Sequence, residues 1–566
     1  MSEQSQDTVA LFLLKALKQE GIDHIFLVPG AMLAPFLPHY SRAGITAIVA
    51  AHEGGAAYMA DGYARARQHF GVCMGIGGPG VTNMATAVAA AYSDRSSVLV
   101  IAGTIPVDWE GRGTFQDSSA TGVYDDEVLR AMTVFAEAIP DVDNVGSFLK
   151  KAIRAMGGVE NRPAFLSVFV DLQQAQCSTA YQPLRLKEPA RIVDLRTVQQ
   201  VPDVLAQATR IAILAGNGSV RSGAGAQIQS FAKQYHIPVV TTLRAKGAIA
   251  EDDPLSFGVF GLGGSLQANK VVMGAKAVGI PKAEVLLMFG ATPNENNTHG
   301  WMPDFQPEKT LVRVDINPNN VLGKEYQELL VVGDVSTFLQ WLEANKSGYH
   351  DALRASAPER SAWTQAIRQT PFYDTDADRA SDAMPMHPAR VLAELRRAVP
   401  RDSVLVVDSG AHTYFTGHNW TSYAPNEFLF LSVTGPMGYG VAMGIGAKLA
   451  RPDQPCICVV GDGSLLMHGM ELHTAVRYKV PLVIVVINNS ALGNPYLHAT
   501  TLEAKKLTEI PTQNWADFAR ALGAEGIVVD HPGMLADAFK RALASDKPFL
   551  VDARCGRDFM TPNTDF

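Results

Sequence analysis

Two stretches, CICVVGDGS at 456–464 and LVIVVINN at 482–489, decide how this chain folds. Each is a short apolar run rich in β-branched residues that stops at small polar ones. A run with no polar alternation reads as a strand covered on both faces, which belongs in a parallel sheet layered with helices. In such sheets ligands bind beyond the carboxyl ends of the strands. Asp462 and Asn489 both stand at such ends and can converge on one point. A carboxylate plus an amide oxygen is a hard ligand set, suited to Mg²⁺, which keeps waters and takes phosphate oxygens as further ligands. Gly461 and Gly463 let backbone N–H groups come close to a diphosphate.

Working outward, the same series begins at SVLVVDSG (403–410), passes a glycine-rich turn TGPMGYG (434–440) and ends at PFLVDAR (548–554). Near the other terminus HIFLVPG (24–30), ITAIVAAHE (45–53), FGVCMGIGGPG (70–80) and SVLVIAG (97–103) alternate with helical patterns. The first of those helices spans Thr8 to Glu20, with Val9, Phe12, Leu13, Ala16 and Leu17 at helical spacing. A middle series runs through RIAILAGNGS (210–219), HIPVVTTL (236–243), EVLLMFG (284–290) and TLVRVDI (310–316). Uninterrupted β–α alternation gives an α/β class with three doubly wound parallel-sheet domains. The expected bounds are 1–182, 190–345 and 387–566, with a polar, partly helical connector at 346–386 and a linker near 180–192.

The 566 residues suit three domains, and 47% hydrophobic with 18% charged is ordinary globular composition. A net charge of −8 carries no footprint for nucleic acid or an anionic membrane, so the expected partners are small molecules. Five cysteines in so long a chain do not make a disulfide framework. Cys456 and Cys458 sit inside an apolar strand and read as core thiols, with no further pair to complete a metal set. The opening MSEQSQDTVA lacks the basic and apolar regions of a signal peptide, and no apolar stretch reaches the length of a membrane span. A cytoplasmic protein is expected.

A second signal lies in the first unit, His52-Glu53-Gly54-Gly55-Ala56-Ala57. A carboxylate after an apolar strand and before a helix of small residues is placed to be partly desolvated and to share a proton with a heteroaromatic nitrogen. By itself it also fits a helix N-terminal Glu stabilised by the helix dipole. Taken with GDGS and NN in the last unit, the pattern resembles the thiamine-diphosphate enzymes, and the likeness runs over nearly the whole chain. The resemblance implies a pyrimidine-binding unit first, a central unit next and a diphosphate-binding unit last. It implies that Glu53 bonds the aminopyrimidine, and that Asp462, Asn489 and the backbone carbonyl of Ala491 bind the metal. It also implies at least a homodimer, and a homotetramer by extension, because the family's cofactor lies between subunits.

Other segments carry the same likeness. GIGGPGVTN places Pro79 and Asn83 beside the pyrimidine ring, and GTFQD supplies a Phe115–Gln116 pair facing the thiazolium. DSGAHTYF resembles the diphosphate-contacting segment, with Gly410, Ala411 and His412; Ser464 joins them from GDGS. In TGPMGYG the resemblance makes Met437 the apolar wedge under the cofactor and the Gly435 carbonyl its hydrogen-bond acceptor.

Within the family the chain is similar to acetolactate synthase and its relatives, in HEGGAAYMADGYARA, GPMGYG and TTLRAKGAIAEDDPLSFGVFG. Three departures set it apart. The family's Pro-Lys-Asp reads Phe169-Val170-Asp171 here. Where acetolactate synthases carry a Met and a Trp after the NN motif, this chain has Asn494 and His498, and Tyr496 lies between them. A pocket of Asn494, Tyr496 and His498 is more polar than one for pyruvate or 2-oxobutyrate. The expected reaction is a thiamine-diphosphate-dependent cleavage or joining of a C–C bond, on a 2-oxo acid or 2-hydroxy ketone. GMELHTAVRYKVP keeps a 2-hydroxyacyl-CoA lyase or oxalyl-CoA decarboxylase open, benzaldehyde-lyase-like carboligases stay open, and so does a homologue that only binds cofactor. GNGS at 216–219 is too weak a glycine pattern to decide whether FAD binds the central unit.

Overall fold

A computed structural model of the chain describes residues 7–562 except 159, 179, 185–192, 321–325 and 375. Most of the linker expected near 180–192 therefore lies outside the described residues. Three six-stranded sheets carry the molecule, and every pairing within them is parallel. The first runs Thr46–Val49, His24–Leu27, Gly71–Ile76, Val98–Thr104, Ala164–Phe169, Ala136–Ala138. The third runs Phe428–Leu429, Val404–Val407, Cys456–Gly461, Val483–Asn488, Phe549–Arg554, Glu525–Val529. Numbered within each sheet, both follow the order 2-1-3-4-6-5. The middle sheet runs Ser256–Val259, Val239–Thr241, Ile211–Ala215, Val285–Phe289, Thr310–Asp315, Glu328–Val332, the dinucleotide-fold order 3-2-1-4-5-6.

The central strands are buried along their whole length, as uniform apolar runs require. The opening helix spans Val9–Gln19, and Thr8 caps it by accepting from the Leu11 N–H. Cys456 and Cys458 are free, buried thiols.

The outer domains share one core. Helix Glu53–Arg67 of the first crosses helix Gly440–Ala450 of the third, and one apolar cluster runs from Tyr58 and Met59 to Val441 and Ile445. The crossing is close because Gly62 and Gly446 face backbone: a Cβ on Gly446 would stand 1.9 Å from the Met59 carbonyl oxygen. The stretch between the central and last domains forms helices His350–Ala355, Ala357–Arg368 and Asp376–Ala380. The first two pack on the central domain, where the fully buried Arg360 donates to the carbonyls of Tyr235 (2.9 Å) and Thr209 (3.0 Å), and in the third Arg379 donates to Asn419 of the last domain at 2.7 Å.

Candidate active site

In the third sheet the strand order reverses between Val404–Val407 and Cys456–Gly461, which opens a crevice at their carboxyl ends. Asp408 follows the first strand and Asp462 the second. Strand Val483–Asn488 lies next, in register with Gly461 opposite Ile487, and brings Asn489 and Ala491 to the same end. These ends enclose a cavity of about 40 Å³, lined among others by Gly410, His412, Asp462, Ser464, Asn489 and Ala491. Ala411, Met437, Gly461 and Gly463 line it too, so the sequence-predicted diphosphate and metal residues, Gly435 excepted, meet at one point.

The local chemistry suits an anionic ligand with a cation. Asp462 is buried, and burial pushes its carboxyl up to about 6, against backbone N–H groups led by that of Gly463. The Asn489 side-chain oxygen accepts from the Ala491 N–H at 3.1 Å, across Ser490, which is left-handed at φ 55°. Ser409 Oγ and His412 Nε2 are buried without a hydrogen-bond partner. Burial drives His412 down to about 4, so its ring is neutral and free to donate or accept. Unmet buried polar atoms beside a buried carboxylate are what a diphosphate with its Mg²⁺ would satisfy.

Asp408 was not singled out from the sequence, although it ends a strand at the reversal point. It is buried, and its carboxylate accepts from the N–H groups of Ser409 (2.7 Å), Gly438 (2.9 Å) and Gly440 (2.6 Å). It thereby shapes the turn that presents Met437, a turn in which Gly438 takes φ 92°. Met437 is half-buried and Gly435 is exposed.

The first domain contributes a separate half. His52 caps helix Glu53–Arg67 through its ring, which accepts from the Gly54 N–H at 3.0 Å. Glu53 stands half-buried at the first helical position and accepts from the Asn83 side chain at 3.0 Å. Pro79 and Asn83, on helix Pro79–Ser93, are exposed beside it. Phe115 is 82% exposed, and Gln116 is left-handed at φ 56°.

A second cavity, of about 1240 Å³, begins at Gly410, Gly435, Met437 and Asn494 and runs into the central domain. There it meets the crevice between Ile211–Ala215 and Val285–Phe289, at Gly218 and Gly290. Its walls include Asn294, Asn296 and Asn297. Of the three residues expected to make a polar pocket, Asn494 alone lines it. Tyr496, two positions on in helix Gly493–His498, lies on another side of the turn and bonds Asp558 at 3.1 Å. His498 ends that helix and is exposed.

Known proteins resemble the chain over most of its length. The thiamine pyrophosphate enzyme domains match in sequence order: the N-terminal TPP binding domain at residues 7–123, the central domain at 198–342 and the C-terminal TPP binding domain at 408–553. The chain belongs to this family. It is 28% identical to a probable acetolactate synthase large subunit of Methanocaldococcus jannaschii, over 95% of this chain and 90% of that protein. It is 26% identical to acetolactate synthase isozyme 3 large subunit of Escherichia coli, over 94% of this chain and 92% of that protein. It is thus a thiamine-diphosphate-dependent, acetolactate synthase-like enzyme in three α/β domains.

Proposed function

We propose that this member of the family is a lyase or carboligase that breaks or joins a C–C bond next to a carbonyl, acting on a 2-oxo acid or 2-hydroxy ketone. The observation that carries the reading is the pair of half-sites: Glu53 with Asn83 on one domain, and Asp462, Asn489 and Ala491 at strand ends of another. Bound thiamine diphosphate would supply a carbanion that adds to carbonyls. Asp462, Asn489 and the Ala491 carbonyl would hold Mg²⁺. Ser409, His412, Gly463 and Ser464 would meet the diphosphate, and Glu53 would hold a proton at the pyrimidine. Their presence argues against a merely cofactor-binding homologue.

The half-sites are completed by a second copy of the chain. Leu466, Met467 and Met470, on the segment after GDG, are 58%, 53% and 53% exposed, an apolar face beside the site that a partner subunit would cover. The amide wall of Asn294, Asn296, Asn297 and Asn494 supports a substrate more polar than pyruvate alone. Reconstitution with thiamine diphosphate and Mg²⁺ tests the reading, with products of 2-oxo acids and 2-hydroxy ketones followed by mass spectrometry, with and without aldehyde acceptors. A new 2-hydroxy ketone that is lost in Glu53→Gln supports it. Turnover that survives Glu53→Gln sinks it.

One observation favours a second ligand. Among the described residues Arg221 has no ion-pair partner, yet it lines the large cavity, and burial pushes it down to about 10. A phosphate-bearing molecule would answer that charge. FAD and a CoA thioester are the two that the sequence leaves open. Flavin absorbance of the purified protein, and turnover of a 2-hydroxyacyl-CoA, tell them apart.

A further inference from the structure

Asp94 follows helix Pro79–Ser93 as its C-cap, the end at which the helix dipole disfavours a carboxylate. It is completely buried, so its position serves something other than the helix. Its carboxylate accepts from Ser432 of the third domain twice, from the backbone N–H at 2.9 Å and from the hydroxyl at 2.9 Å. Arg244 of the central domain lies 3.2 Å from the same carboxylate and donates to the Asp94 carbonyl at 2.6 Å. Arg65, paired with Asp61 at 2.8 Å, stands 3.8 Å away on the other side. Residues from all three domains therefore meet on one side chain.

Ser432 opens the segment that reaches Gly435 and Met437. Its own carbonyl accepts from Asn296 of the central domain at 3.4 Å. The far end of the segment is held by Asp408 through Gly438 and Gly440. Between these two anchors Val433, Thr434 and Gly435 are exposed, and Val433, Gly435 and Met437 line the wide cavity. The segment is a sling tied at both ends to buried carboxylates and free in the middle.

We propose that Asp94 is a positioning residue for the cofactor: it fixes the height and register of residues 432–438, and so couples the seating of all three domains to the shape of the thiamine diphosphate site. This rests on the cofactor reading above. An isosteric amide at 94 keeps one acceptor, turns N–H toward a donor and removes the charge that faces two guanidinium groups.

The test compares Asp94→Asn, Ser432→Ala and the double variant with the wild type. Two quantities are read: the dissociation constant of thiamine diphosphate with Mg²⁺, by calorimetry, and backbone hydrogen exchange of residues 432–438 in the apoprotein. Loss of one charge-assisted hydrogen bond predicts binding about tenfold weaker in Asp94→Asn, and a smaller loss in Ser432→Ala. Exchange is expected to rise at the amides of residue 432 and Gly438, which the two carboxylates protect, and the double variant to fall short of additivity. Wild-type binding and exchange in a less heat-stable Asp94→Asn would overturn the proposal, since a merely structural contact lowers the melting temperature alone. If Asp94→Asn does not fold, Ser432→Ala decides: unchanged binding and exchange overturn the proposal, and weaker binding with faster exchange sustains it. A wild type that binds no thiamine diphosphate overturns the cofactor reading instead, while the exchange comparison still decides whether Asp94 holds the sling.

Discussion

The carboxylate of Glu471 accepts from the backbone N–H groups of Ala51 and His52, each at 3.1 Å. Glu471 opens the helix that follows the GDG segment, and Ala51 and His52 immediately precede Glu53. The residue is 1% exposed, takes a third bond from the Thr474 hydroxyl at 2.7 Å, and is held above the usual carboxylate range by burial. One side chain of the third domain thus sets the turn that leads into Glu53 of the first, the carboxylate proposed to act on the pyrimidine. Glu471→Ala takes the acceptor from the Ala51 and His52 N–H groups and the Thr474 hydroxyl and is expected to cost about 3 kcal/mol in urea unfolding. The residual activity should fall further than stability explains.

Glu53→Gln keeps the volume and the bond from Asn83 in one of its amide orientations, but removes the carboxylate proposed to hold a proton at the pyrimidine. The expected outcome is a wild-type melting temperature with a turnover number at least about 100-fold lower. A melting temperature that falls with activity would assign Glu53 to the fold.

For Asp462→Asn the expected signature is in the metal. Removing the single carboxylate among Asp462, Asn489 and Ala491 should weaken Mg²⁺-dependent thiamine diphosphate binding by about 100-fold. Chelation of the wild type should reproduce that loss, and excess Mg²⁺ should rescue the variant only in part. Binding that ignores both treatments would place the metal elsewhere.

What the sequence made legible follows from locality. CICVVGDGS and LVIVVINN carry their strand and its polar end within a few residues, so both the fold class and the convergence of Asp462 and Asn489 could be read directly. Asp408, Glu471 and Asp94 could not. Each is an ordinary acid in its own segment, and its meaning comes from N–H groups that return from far along the chain or from another domain. The shared strand order of the outer sheets was hidden for the same reason, since apolar runs give strands but not their neighbours. His498 was read at a motif offset and Tyr496 from its flank, whereas the helix over Gly493–His498 turns Tyr496 to Asp558 and leaves His498 in solvent.

The helix crossing makes a stability prediction. A methyl group at Gly446 would meet the Met59 carbonyl oxygen at 1.9 Å, and backbone cannot swing aside as a side chain does. Gly446→Ala should force apart helices Glu53–Arg67 and Gly440–Ala450 and cost about 3 kcal/mol or more. The start of each helix carries part of the proposed site, so cofactor affinity should fall too. A substitution at Gly279, where nothing lies within 4 Å although φ is 71°, serves as a strain-only control.

Asp125 gives the pH dependence its sign. It is 1% exposed and its carboxyl receives the Gly78 N–H at 3.0 Å, yet burial wins and pushes it up to about 7, with Asp126 adding to the rise. The folded chain therefore keeps this proton where the unfolded chain, with an ordinary value of 3.8, has released it. Because the native state binds more protons in that window, its stability falls as pH rises from about 4 to about 7, at most by about 1.4 kcal/mol per unit. Asn at 125 can still accept from Gly78 and has no proton to lose. Urea midpoints at pH 5 and pH 8 should then differ less in Asp125→Asn than in the wild type, with the variant gaining most at pH 8. An equal pH slope in both proteins would mean that the Asp125 carboxyl is ionised in the fold and that its N–H bond outweighs its burial.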